Sequence, residues 1–170
     1  SVSPPAGLFF LVPLIPLMNQ LLTYLLLLSC LFGKAHPSTL YFRNINTGNG
    51  LSHDKINCII QDKRGFTWIG TDDGLNRYDG NRFQVFRHDP TNRASISGNM
   101  ITDLLEDKNE VLWIATADGG ITRYDYRLDP IKQFRQYKHS PSDSLSIPVN
   151  IINALVEDKS GYLWLATSGH

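Results

Sequence analysis

The feature that most constrains this chain is that it says one thing three times. INCIIQDKRGFTWIGTDDG from Ile56, ITDLLEDKNEVLWIATADG from Ile101 and INALVEDKSGYLWLATSGH from Ile152 align without a gap. Their tryptophans, Trp68, Trp113 and Trp164, follow one another at 45 and 51 residues. A period of that size marks a repeat array, in which each unit buries its apolar surface on its neighbours rather than in a core of its own. The connecting segments repeat as well, FQVFRHDPTNRASISGNMI from Phe83 matching FRQYKHSPSDSLSIPVNII from Phe134. The six extra residues of the second period fall ahead of that match, one in DGGITRYD against DGLNRYD and five in YRLDPIKQ. Insertions confined to a connection are what a surface loop tolerates.

Within a unit the pattern is that of strands. Ile56, Cys58 and Ile60 alternate with more polar neighbours, and Phe66, Trp68 and Gly70 alternate with Thr67, Ile69 and Thr71 as in a strand buried on both faces. Between them Asp62-Lys63-Arg64-Gly65, like Asp158-Lys159-Ser160-Gly161, reads as a four-residue hairpin turn. The Asp bonds to backbone amides of such a turn and the Gly supplies its positive φ. In the middle unit Glu110 stands in place of that Gly, which puts the left-handed conformation on Asn109. LNRYD or ITRYD supplies a third strand, and Phe83 with Phe86, or Phe134 with Tyr137, a fourth. Asp79-Gly80 is the hairpin signal that joins third to fourth in the first unit.

Four antiparallel strands per ~45 residues, with an aromatic at a fixed place, is the pattern of a β-propeller blade. The expected fold is all-β: a partial β-propeller of about two and a half four-stranded antiparallel blades, with the tryptophans packing between blades. Repeat 1 spans residues 56–100, repeat 2 spans 101–151 and a truncated repeat 3 spans 152–170. Residues 36–55 hold a leading strand, TLYFRNI, and a linker, the strand belonging to a closing blade. A ring of about 4 to 8 such blades needs at least ~180 residues of blade, so the stretch reads as a fragment whose partner is the remainder of a longer parent chain. Left open, its apolar blade faces and strand edges invite aggregation.

Residues 1–35 behave differently. No charged side chain occurs from Ser1 to Gly33, and Leu21 to Phe32 is a 12-residue apolar run. That is the length of a secretory h-region and short of the ~20 residues of a spanning helix. Cleavage after Ala35, with Gly33 at minus three, and a true start at Met18 fit an exported chain. Two other readings compete: LLSC, ending at Cys30, as a lipoprotein box, and Leu8 to Phe32 as an uncleaved anchor helix, against which Pro13, Pro16, Asn19 and Gln20 count.

Chemistry is sought and not found. Sixteen Lys and Arg balance sixteen Asp and Glu, so no net field recruits nucleic acid, and membrane contact is expected only through the N-terminal segment or a helix beyond this stretch. His36, His53, His88, His139 and His170 lack metal-ligand spacing, and no metal or other cofactor is expected. His88 and His139 share a repeat position ahead of a Pro-containing loop, which points to a duplicated structural role. Asp72 and Asp73 pair as acids only in the first unit, against Ala117-Asp118 and Ser168-Gly169, and read as a solvated turn. Once a signal is removed Cys58 is the one thiol, and its strand setting makes it a small buried hydrophobe. GTDDG and ATADGG lack the Lys-Ser/Thr and helix of a phosphate loop. No catalytic residue is assigned, the stretch by itself is not expected to be an enzyme, and its ligand-contacting residues are unknown.

QDKRGFTWIGTDDGLNRYDG, preceded by GLSHDKINCI, resembles the two-component regulator propeller repeat, and the resemblance runs from Tyr41 to His170. It rests on D-x-x-G, then W-I-G-T, then D-G-L-x-R-Y-D; Glu110 departs from it at the turn, and Ala115 and Ala166 replace Gly70. The resemblance implies the periplasmic sensor region of a hybrid two-component histidine kinase of the Bacteroidetes type. Such a region follows a signal peptide and precedes a transmembrane helix, kinase, receiver and DNA-binding domain. It further implies oligosaccharide recognition, control of polysaccharide-utilisation genes and a homodimeric parent at the inner membrane. A secreted propeller enzyme, lyase or glycoside hydrolase, and a scaffold propeller are the rival readings.

Overall fold

In a computed structural model the described residues are 40–169, and the signal or anchor segment at residues 1–35, with Cys30 and His36, lies outside them, as does His170. Among the described residues no helix is long and apolar enough to cross a membrane. From Arg43 onward the chain is one compact unit built of antiparallel sheets.

The first sheet runs β1 (Ile56–Gln61), β2 (Thr67–Thr71), β3 (Gly74–Tyr78) and β4 (Phe83–Phe86), paired in chain order. The second repeats it with β5 (Ile101–Glu106), β6 (Leu112–Thr116), β7 (Ile121–Tyr124) and β8 (Phe134–Tyr137). β9 (Ile152–Glu157) and β10 (Leu163–Thr167) form a two-stranded third sheet. Sequential pairing through short turns is what period-2 strands joined by Asp-Gly chemistry dictate. The sheets stack face to face in order, β5 lying against β1 and β2, and β9 against β5 and β6. No strand forms over Leu40–Asn46, where the leading strand was expected: a strand exists only through a ladder partner, and these residues find none in the described chain. A 3-10 turn, Thr47–Asn49, capped by the Asn46 side chain, follows instead.

The first strand of each repeat also differs from strict alternation. The ladder slips by one residue after Ile56, after Ile101 and after Ile152, a β-bulge at the same place each time. The slip puts Ile56 on the face of Ile59, not on that of Cys58 and Ile60 as the sequence pattern suggested; Cys58 and Ile60 pack on the core shared with the second sheet. In the second and third repeats the corresponding pairs, Ile101 with Leu104 and Ile152 with Leu155, are buried against the sheet before them.

The bulged residue then works as a stitch. The Asn57 side-chain amide donates to the Ile101 carbonyl at 2.9 Å, and the Thr102 hydroxyl to the Ile152 carbonyl at 2.5 Å. A second stitch joins each hairpin turn to the next sheet: Lys63 N–H donates to Glu106 at 3.0 Å and Lys108 N–H to Glu157 at 2.9 Å. Asp103 adds a third by accepting from Leu155 N–H at 2.7 Å.

Candidate functional site

Asp62, Asp107 and Asp158 hold the turn that opens each signature. Asp62 Oδ1 accepts from Arg64 N–H at 3.0 Å and Phe66 N–H at 2.9 Å, and its Oδ2 from the Trp68 indole N–H at 2.9 Å. Trp113 donates to Asp107 and Trp164 to Asp158 at the same 2.9 Å. Burial alone pushes the Asp62 carboxyl up, but the Trp68, Phe66 and Arg64 donors outweigh it and hold the group below its usual range. The tryptophan is therefore both wedge and latch. Trp68 is fully buried between the first two sheets, stacked on Phe86 at 5.8 Å and edge-on to Tyr124 of the second sheet at 5.3 Å. Sequence reading placed the packing role correctly and missed the bond; an Asp six residues ahead of each Trp was the available signal.

Gly65 and Gly161 take the positive φ expected of them. In the middle turn Asn109 does not: Glu110 itself sits at φ 62, because the ladder fixes which turn position is left-handed whatever residue occupies it.

The histidines hold loops. His88 Nδ1 donates to the Ile96 carbonyl at 2.7 Å and its backbone N–H to Asn99 Oδ1 at 2.8 Å; His139 repeats both contacts with Ile147 and Asn150 at 3.0 and 2.7 Å. Each loop so held carries a buried anchor onto the next sheet. Ile96 enters the core beside Trp68, and the following Ser97 N–H donates to Thr122 of β7 at 2.8 Å. Among the other candidates, Asp72 bonds Lys55 and Asn57 at 2.8 Å each and Asp73 pairs with Arg87 at 3.0 Å, so the two acids face different cations. Burial, with Asp103 nearby, pushes the Cys58 thiol up to about 12 and leaves it a poor nucleophile. His53 Nδ1 accepts from Lys55 N–H at 3.0 Å. Among the described residues no cluster of His, Cys, Asp or Glu could hold a metal ion.

One concave region lies off this framework. A groove of about 640 Å³ opens between the loop that follows β4 and the outermost strand β8, with Arg93, Arg135 and Lys138 on its walls and Phe134 at its floor. Ile131, from a 3-10 turn at Pro130–Lys132, closes one side, and that turn belongs to the five-residue insertion of the second repeat. Nearby Asp125, buried between the corner's arginines, has its carboxyl lowered to about 2 by Arg127 first, with Arg123 adding and burial opposing.

Stacked, stitched four-stranded sheets with one latched tryptophan each define a repeat protein of the propeller-blade class. The two component regulator propeller family matches the chain at residues 50–73, 95–118 and 146–169, each match running from a loop anchor to just past a second strand. The chain carries three two component regulator propeller repeats. It is similar to histidine kinase P4 of Formosa agariphila, 42% identical over 64 residues, which is 38% of this chain and 5% of that relative. Among solved structures it resembles the extracellular domain of a Bacteroides system, described as a hybrid two component system from B. thetaiotaomicron. The TM-score is 0.66 at 31% identity, over 74% of this chain and 17% of that one. The extracellular domain of a second B. thetaiotaomicron system matches with a TM-score of 0.53 at 34% identity, over 66% of this chain and 15% of that one. The chain thus spans a small part of the proteins it resembles.

Proposed function

We propose that this chain is part of the extracellular, ligand-sensing region of a two-component signalling protein, a histidine kinase of the hybrid kind. The observation that carries the reading is the match of all three repeats to the two component regulator propeller, joined to 31% identity with an extracellular domain at a TM-score of 0.66. The described residues contribute a stack of rigidly coupled blades, and no arrangement among them resembles a nucleophile with its base. Their part in signalling is to bind and to pack. The ligand is an oligosaccharide released from a polysaccharide, and its binding changes how two sensor copies pack at the membrane, which reaches the kinase and then the genes for polysaccharide use.

The test is autophosphorylation of the full-length protein in membrane vesicles, followed while a panel of neutral and acidic oligosaccharides is added outside. A change of rate with at least one saccharide is expected. A rate indifferent to the whole panel overturns the oligosaccharide reading.

A further inference from the structure

The groove beside β8 is where the second repeat departs from its pattern. In the first repeat Asp79-Gly80 leads straight into the fourth strand, while the second inserts the Pro130–Lys132 turn and thereby gains Ile131 as a wall. Three cations converge there from two elements, Arg93 on the loop and Arg135 and Lys138 on or beside β8. None of the three is ion-paired among the described residues, although most acids of the molecule are used elsewhere. Cations gathered in a concavity without counter-charge raise the local potential and concentrate anions.

The setting is prepared for more than a free ion. Arg135 lies over the Tyr137 ring at 5.1 Å, which braces its guanidinium for two-pronged contact with a carboxylate or sulfate. The floor ring, Phe134, is fixed against Tyr124 at 4.7 Å and Phe86 at 5.4 Å, offering a rigid apolar face. Asp89 also lines the groove; its Oδ1 is occupied by Thr91, so its second oxygen can accept from a hydroxyl, and the amide of Asn92, whose oxygen takes Ala94 N–H, can donate to one. As the outermost strand, β8 presents an unpaired backbone edge to the same space. Anionic group, hydroxyls and a flat CH face on one molecule describe an acidic sugar.

We propose that this groove binds an acidic oligosaccharide, with Arg93, Arg135 and Lys138 holding its carboxylate or sulfate groups. The sugar part rests on the oligosaccharide reading above; the anionic part rests on the groove. Titration calorimetry of the full-length protein with an oligogalacturonate, a sulfated oligosaccharide of equal length and a neutral one separates the two. At least one acidic probe is expected to bind, less tightly as salt is raised, and the two acidic probes show which group is preferred. Arg135→Gln is expected to weaken it about tenfold and the Arg93→Gln, Arg135→Gln, Lys138→Gln triple variant at least about 100-fold. Lys132→Gln, the same charge change outside the groove, is expected to leave it unchanged. These side chains are exposed and unpaired, so the variants retain the fold, which near-ultraviolet circular dichroism checks. Binding of the neutral probe alone, or acidic binding that the triple variant does not alter, overturns the groove and leaves the oligosaccharide reading standing. No binding of any saccharide overturns both.

Discussion

Trp68 and Trp164 make the same 2.9 Å bond to the same Asp of the same turn, yet Trp68 is 0% exposed and Trp164 61%. The local device is complete in both repeats; what differs is the sheet laid over it. In the first repeat Ile101 and Leu104 cover the tryptophan, while in the third the Trp164 face, with Val156, is open. The turn and its latch are thus encoded within a repeat, and the core is encoded between repeats. The leading face of the first repeat repeats the lesson from the other side, Ile56 and Ile59 being exposed where Ile101 and Leu104 are buried.

The comparison is broken or sharpened most strongly by truncating the two tryptophans. Trp68→Ala should cost ~3–5 kcal/mol, the range for removing a large buried aromatic, and Trp164→Ala, measured beside it by urea unfolding, under about 1 kcal/mol. Equal losses would show that the latch, not the cover, carries the energy. Next in size is Gly70→Ala. A Cβ there would lie 2.4 Å from Cys58 Sγ and 2.6 Å from Ile101 Cγ2, so overpacking of ~1–3 kcal/mol is expected. Ala166, its counterpart in the open third repeat, should accept Gly at about 1 kcal/mol or less. A smaller effect is expected from acid. Asp125, at about 2 in the folded chain against an ordinary 3.8, contributes stability that is complete above pH ~4 and lost as the pH falls through ~2. Asp125→Asn should therefore flatten the acid limb of stability in the second repeat, and a limb unchanged by the substitution would exclude this carboxyl as its source. Smallest is Glu110→Gly, which relieves a left-handed non-glycine residue and should raise the unfolding midpoint by about 1 kcal/mol of stability, while Gly65→Ala in the equivalent covered turn lowers it.

What the sequence disclosed follows the same division. The turns at Asp62 and Asp158, the strand order and the packing role of tryptophan are legible because turn chemistry and period are local. His88 and His139 could be paired as a duplicated role from alignment of the repeats alone. The left-handed position went to Glu110 rather than Asn109 because strand register, not local preference, decided it. Ile56 was placed on the wrong face because a bulge is a property of two strands and leaves little mark on one. The Lys63–Glu106 and Asn57–Ile101 stitches join separate repeats and become visible only once sheets are stacked. The groove was hidden for the same reason: Arg93 and Arg135 meet across a repeat boundary, and neither belongs to the shared pattern.

The stitches also set a timetable. Every bond between sheets described above joins residues only 43 to 52 positions apart, so each repeat finds its partner in the one synthesised just before it. A chain built this way can fold as it leaves the ribosome, docking repeat by repeat without awaiting distant sequence. The leading face at Ile56 and Ile59 is the exception, for no earlier repeat in this chain covers it.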